Sequence, residues 1–461
     1  MQKKYRHVIS SSLLILFMVV APILVIYTAG YRYNFKKNKL QKTGILVIES
    51  LPEKADVYIN NEYKKRTKAI IKNLFPDQYD VRVEKDGYYP WQKKLSVEAG
   101  QSAFATNIIL FKKAEAEKII KEDIDFSSYS PDRKKLIYSV KNQSDKLLIV
   151  DLNGLKETII FNNPQNKTEN IEFKTNWSTS GNKILLTINK PDQGISQHWL
   201  IDINNPNNKK LLASPSRQNL EKISWEFNNE KILYGLSAGT IYQIDVTNDE
   251  IKEFYSFDNI QDFQLYFDLI YFVTNDPASQ KSYLKYVDLK NQETVYNIQN
   301  LPLSPNYQFL DHPGNKISLF DQNNNLFYLI KPGQDLITTQ TEIFSNVNQI
   351  SWSADFSKFL YFNDFELWIV YPKNDKSEKF LINRFSKKIK EAVWHPGFEY
   401  ILFVLDNSIQ VIELDGRNGR NMNTLAELEN ITDLTIDFKS EKIYFKALED
   451  DLNRAYFLEI N

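Results

Sequence analysis

The 461 residues hold 57 Lys and Arg against 58 Asp and Glu, a formal charge of −1, so no basic surplus points to nucleic acid. Cysteine is absent, which excludes disulfides, thiolate-bound zinc, iron–sulfur clusters, a cysteine nucleophile and an acylated-cysteine anchor. The charge balance hides a split: residues 1–113 carry 20 basic and 9 acidic side chains, and residues 114–461 carry 37 and 49.

Residues 1–7 form a short basic tail, and from residue 8 to residue 28 there is no charge. About 21 residues at about 1.5 Å each span about 30 Å, the thickness of a bilayer's hydrocarbon core, so residues 8–30 are expected to form a transmembrane helix. Pro22 is tolerated in such a helix. Tyr5, Tyr27, Tyr31 and Tyr33 fall at its two ends, where amphipathic rings prefer the interface. The alternative is a signal peptide cleaved near Thr28-Ala29-Gly30, although the apolar run exceeds a usual signal core. Lys3, Lys4 and Arg6 on one side and Arg32, Lys36, Lys37, Lys39 and Lys42 on the other leave orientation undecided by charge.

Residues 31–43 read as a basic stalk. Behind it, Ile45–Ile48, Val57-Tyr58-Ile59, residues 79–83, 92–97 and 105–110 read as short strands of a compact β sandwich over residues 44–112. The order Ser50, Pro52, Glu53, Ala55, Val57-Tyr58-Ile59, Thr67, Leu74, Tyr79, Gly87-Tyr88 and Trp91 resembles the PEGA domain, with Lys54 in place of the name-giving Gly. That resemblance implies an envelope-exposed, non-catalytic module. Tyr58, Tyr79, Tyr88 and Trp91 read as packed core aromatics rather than a sugar-stacking platform.

From residue 116 the chain repeats. A residue that ends a strand recurs at Tyr129, Trp177, Trp225, Tyr266, Leu310, Trp352, Trp394 and Ile436, at intervals of 41 to 48 residues, the period of a β-propeller blade. A polar turn such as Tyr129-Ser130-Pro131-Asp132 or Trp352-Ser353-Ala354-Asp355 follows most of them. Next come a second apolar strand and a third that often ends in Asp, at Asp151, Asp202, Asp245 and Asp288. The pattern resembles TolB-like and WD-type propeller blades over residues 116–461. Each blade has two apolar faces that only its neighbours can cover, so the ring has to close. The last repeat has three strands, and Glu117-Lys118-Ile119-Ile120 is expected to supply its fourth as a latch. The fold class is therefore all-β: an N-terminal transmembrane helix, a PEGA-like sandwich and an eight-bladed propeller, with seven blades as the alternative.

Three motifs could carry chemistry. Gly235-Leu236-Ser237-Ala238-Gly239 matches a nucleophile elbow, but it lies between two strands and reads as a hairpin turn. Asp321-Gln322-Asn323-Asn324-Asn325 begins like a calcium loop, yet Leu326 and Pro332 occupy the positions that need Gly and Glu. His198, His312 and His395 fall in different repeats without carboxylates at ligand spacing. The repeated Trp residues read as inter-blade packing. No catalytic residue, metal or cofactor is expected.

An anchor, a spacer and a propeller describe a rigid disc held at a membrane, binding partners through the loops at one end of the ring. Those loops are residues 190–197, 274–280, 321–325, 363–366 and 449–453. They give the candidate residues Asp192, Gln193, Asn275, Asp276, Asn323, Asn324, Asp364, Glu366, Glu449, Asp450 and Asp451. The expected partner is an envelope protein or polysaccharide, and the acidic propeller favours a basic or cation-bridged one. The resemblances imply that the bulk of the chain is extracytoplasmic. The alternatives are a propeller-based extracytoplasmic glycosidase, lyase or peptidase, and a cytoplasmic WD-type hub on an inverted anchor.

Overall fold

A computed structural model describes all residues except 1, 142, 144–145, 163–170, 191–194, 213–219, 227–228, 249, 267, 311–313, 315, 334–337 and 374–375, with backbone alone at 2–8 and 195. The chain forms two compact units. One comprises residues 1–115, 411–425 and 459–461, and the other residues 116–410 and 426–458.

The first unit begins with the helix Gln2–Thr28, of which Ile9–Thr28 is apolar and long enough to cross a membrane. The expected stalk is instead a β-hairpin, Tyr31–Asn34 paired antiparallel with Lys39–Lys42. Asn34 makes the turn possible: its Oδ1 accepts the backbone N–H of Lys36 at 3.0 Å and of Lys37 at 3.1 Å. The sandwich that follows has two sheets. Gly44–Leu51 lies between Ala69–Leu74 and, in parallel, Ser102–Ile109, while the second sheet runs Glu62–Arg66, Asp56–Ile59, Asp77–Glu84, Trp91–Val97. Alternation decides which side chains enter the core: Trp91, Lys93, Leu95 and Val97 are buried and the residues between them exposed. Leu46, Ile48, Val57, Val81, Val83, Trp91 and Leu95 form the core between the sheets, with Tyr79 and Tyr88 packed against it. Gly44 is required where it stands, because a Cβ there would lie 2.5 Å from the Glu98 carbonyl oxygen.

Beyond the sandwich the chain forms eight further four-stranded sheets among the described residues. Seven are antiparallel meanders of consecutive strands. The eighth takes Glu429–Ile436, Lys442–Glu449 and Leu452–Glu459 from the end of the chain and Glu117–Ile120 from its beginning. In that last pairing Glu117 faces Phe457 and Ile120 faces Ala455.

Successive sheets pack face to face. Ile137 and Leu147 meet Ile184 and Leu186, Leu185 meets Leu233, Leu236 meets Phe272, and Val273 meets Leu319. Phe327 then meets Phe359 with ring centroids 5.2 Å apart, and Trp394 donates to the Ser351 carbonyl at 2.9 Å. Glu391 accepts the N–H groups of Asp433 and Leu434, which joins the seventh sheet to the eighth, and Tyr444 packs on Leu136 of the first. Sheets that pack in sequence and return to the first form a closed β-propeller.

The recurring polar turn has a structural basis. Ser130, Ser178 and Ser353 are buried at the end of their inner strands. Each donates its N–H to the residue five further on, and its hydroxyl accepts that residue's N–H at 3.0 to 3.2 Å. His395 makes the same backbone bond to Tyr400, and Asp437 to Lys442. All eight marker residues lie at or within one residue of the end of an inner strand.

Candidate functional site

Within the propeller, the loops that join adjacent blades and those that join the second and third strands of a blade surround a cleft of about 720 Å³. Its lining is Asn325, Asn346, Asn348, Asn363, Asp364, Phe365, Glu366, Arg384 and Phe385. Asn325 ends the turn between Ile317–Asp321 and Leu326–Lys331, Asn346 and Asn348 connect the fifth blade to the sixth, and residues 363–365 turn the sixth blade's second strand into its third. Asn325 and Asn346 have φ of 52° and 57°, a conformation asparagine tolerates better than most side chains.

The charges in the cleft are matched. Asp364 accepts from Asn348 Nδ2 at 2.9 Å and pairs with Lys388 at 2.9 Å. Lys388 and then Asn348 hold its carboxyl below the usual carboxylate range. Glu366 accepts from Arg384 Nε at 2.8 Å, Trp368 Nε1 at 3.0 Å and Asn363 Nδ2 at 3.1 Å, and the Arg384 guanidinium is the main cause of its lowered pKa. Both acids are thus internally compensated. What the cleft offers a visitor is carboxamides and the half-exposed ring of Phe365, 43% exposed.

Of the residues expected from the sequence, Asp364 and Glu366 line this cleft, and Asn323 and Asn324 lie in the turn that ends at Asn325. Asn323 accepts from Asn306 at 3.0 Å, and Asn324 Nδ2 donates to Asp321 at 2.7 Å. Asp321 itself is fully buried and accepts from Ser304 Oγ and from the N–H groups of Asn323 and Asn324. Its carboxylate closes the turn. Asn275 and Asp276 belong to the fourth blade, where Asn275 bonds Ser282 and the Ser304 carbonyl and Asp276 caps the turn at Ala278 and Ser279. Glu449, Asp450 and Asp451 belong to the eighth. Glu449 is committed to Lys118, Arg454 and Tyr456; Asp450 and Asp451 are exposed at left-handed positions, and Asp450 lies 3.5 Å from Arg454 Nη1. Asp192 and Gln193 lie outside the described residues, as does His312.

Sequence reasoning missed Asn346, Asn348, Arg384 and Phe385. The two asparagines carried a turn signal only, and a strand-terminal arginine carried none.

The other motifs take ordinary places. Ser237 ends the strand Asn229–Ser237, and Ala238-Gly239, both at positive φ, turn it into Thr240–Asp245 rather than into a helix. His198 sits in a strand with Nδ1 3.0 Å from Thr187 Oγ1, and burial lowers its pKa to about 4. His395 accepts the Gly397 N–H at 3.1 Å and is lowered to about 4 for the same reason. Glu391, on an inner strand, is pushed up by burial, and its bonds to Asp433 and Leu434 at 2.9 and 2.7 Å oppose that shift. Among the described residues no group of three or more His, Asp or Glu side chains could hold a metal ion.

Residues 43–108 match the family model described as "PEGA domain". No curated protein matches the chain. Solved structures with partial likeness include the one titled "Crystal structure of the eukaryotic initiation factor", 14% identical, with a TM-score of 0.49 over 74% of this chain and 89% of that one. A second is "Dihydro-heme d1 dehydrogenase NirN in complex with DHE", 11% identical, with a TM-score of 0.46 over 66% of this chain and 67% of that one. A third is "Kuenenia stuttgartiensis Hydrazine Synthase", 12% identical, with a TM-score of 0.38 over 72% of this chain and 94% of that one. The propeller assignment rests on strand order and ring closure in this chain.

Proposed function

We propose that the chain is a membrane-anchored envelope protein whose propeller binds an extracytoplasmic protein or glycan and performs no chemistry itself. The observation that carries this reading is the cleft of about 720 Å³ at the loop end of the fifth and sixth blades, the end through which propellers meet partners. The apolar helix and the PEGA match support an anchored, outward-facing protein. The pairing of Asp364 with Lys388 and of Glu366 with Arg384 changes the electrostatic expectation. Although residues 114–461 carry 49 acidic against 37 basic side chains, the cleft itself favours hydrogen-bonding over cationic partners.

The test is parallel capture from envelope extract with the wild-type protein and with Asn348→Trp, which fills the cleft from a loop. A partner retained by the wild type and lost by the variant, at equal thermal stability, supports the reading. Equal recovery by both moves binding elsewhere. The enzymatic alternative is met at Ser237. A serine on a hairpin lacks the helix N-terminus that an elbow supplies, so a fluorophosphonate probe is expected to leave it unlabelled.

A further inference from the structure

The hairpin that replaces the expected stalk is itself unusual. Tyr31–Asn34 and Lys39–Lys42 form a two-stranded sheet that no other strand joins among the described residues, and such a hairpin is marginal in water without a surface to pack on. Its register puts Tyr31 opposite Lys42 and Tyr33 opposite Leu40, so these four share one face. On that face Tyr31, Tyr33 and Leu40 are 37%, 49% and 49% exposed. Phe35 extends the face at the tip, 83% exposed, with its ring edge-on to Tyr33 at 5.0 Å. Arg32, Lys36, Lys37, Lys39 and Lys42 make residues 31–43 basic at five positions and acidic at none.

The hairpin is also fastened to the end of the apolar helix. Arg32 donates to the Tyr27 carbonyl at 2.7 Å and stacks over the Tyr27 ring at 3.6 Å. Thr43 bonds the Gly30 carbonyl through its N–H at 2.9 Å and its hydroxyl at 2.8 Å. The tip at Phe35 lies seven residues beyond Thr28, at most about 23 Å of extended chain, so it stays within that distance of the point where the helix ends.

We propose that this hairpin is a membrane-surface element. Its Tyr31, Tyr33, Leu40 and Phe35 face lies in the headgroup region of the leaflet from which the helix emerges, and its lysines pair with anionic lipid headgroups. Three properties select this occupant. An aromatic face with basic flanks and no acid is the composition that enters an anionic interface. The helix end delivers the hairpin to that interface. A tether of two residues between Thr28 and Tyr31 leaves it little freedom to be elsewhere. The proposal rests on the helix being a retained anchor.

The absence of native cysteine makes the test clean. Phe35→Cys and, separately, Leu16→Cys in the full-length chain each accept one nitroxide label. Both are reconstituted in nanodiscs of phosphatidylcholine with and without phosphatidylglycerol. Collision with oxygen against a water-soluble nickel chelate then reads depth. The proposal expects the Leu16 label in hydrocarbon and the Phe35 label at interfacial depth, deeper when phosphatidylglycerol is present. Lys36→Gln, Lys37→Gln and Lys39→Gln together are expected to abolish the phosphatidylglycerol dependence. A water-exposed Phe35 label above a hydrocarbon Leu16 label overturns the proposal and leaves the anchor standing. A Phe35 label shielded from both reagents also overturns it, in favour of a protein contact such as a second copy. A water-exposed Leu16 label removes the anchor and the proposal with it.

Discussion

Trp394 and Trp352 end equivalent inner strands, yet their indoles differ. Trp394 Nε1 donates to the Ser351 carbonyl at 2.9 Å, as Trp177 does to Ser128 Oγ at 3.0 Å and Trp225 to the Asn176 carbonyl at 3.1 Å, each reaching back to the preceding blade. Trp352 Nε1 is buried without a hydrogen-bond partner among the described residues. Replacing each by Phe removes the N–H and part of the ring in both cases, so the difference between the variants isolates the hydrogen bond. Trp394→Phe is expected to cost about 1 kcal/mol more than Trp352→Phe in denaturant unfolding; equal losses would mean that the inter-blade bond contributes nothing.

The buried histidines make a second prediction at this scale. His198 and His395 are each 3% exposed and stay neutral in the folded chain down to about pH 4. In the unfolded chain they take up protons near pH 6.5. Their contribution is therefore complete above about pH 6.5 and is lost as pH falls toward about 4, by up to about 3 kcal/mol each. The double variant His198→Gln, His395→Asn should flatten the melting temperature across that window, and an unchanged slope would assign acid loss to other groups.

Among the elements, the strand Trp91–Val97 and the segment 411–425 both belong to the first compact unit and meet at a buried ion pair. Lys93 Nζ lies 2.7 Å from Glu413 Oε1 and also donates to the carbonyls of Asp415, Arg417 and Gly419. Glu413 Oε2 accepts from Trp91 Nε1 at 2.8 Å. The side chains of Lys93 and Glu413 are 1% and 3% exposed, so removing one partner strands a buried charge. Lys93→Met is expected to cost about 3–5 kcal/mol, and adding Glu413→Gln should recover part of it. A loss below about 1 kcal/mol for the single variant would contradict the burial.

The latch Glu117–Ile120 makes a comparable case. Ile120 is 1% exposed in the cluster that joins the eighth sheet to the first, and Ile120→Ala should cost about 2–5 kcal/mol. Unchanged melting would mean that the ring closes without this strand.

Legibility varied with the chemistry of each element. Inner strands could be read because their last residue, the buried serine and the following turn repeat together. The latch could be read from a missing strand at one end and an orphan apolar strand at the other. Glu62–Arg66, with all five residues exposed, shows no alternation and went unseen. The hairpin at residues 31–42 was hidden because a run of basic residues reads as a solvated linker; the strand pairing, the Asn34 turn and the fastening of Arg32 to Tyr27 and of Thr43 to Gly30 reveal a folded element. In the cleft, the acidic residues drew attention by charge. The asparagines and Arg384 that define its chemistry come together only through the packing of two blades.

At the scale of the molecule, one helix able to cross a membrane precedes a PEGA domain and a closed propeller. We propose that the helix is retained and that the propeller lies outside the cell. The charges flanking the helix do not fix its direction, so the claim has to be tested on the intact protein in its membrane. Protease added to intact cells or spheroplasts, followed by detection with an antibody to the propeller and by the size of any membrane-held remnant, reads both parts together. Degradation of the propeller without lysis, with a short fragment containing the helix left in the membrane, is the expected result. Full protection of the propeller until the cells are lysed would contradict it.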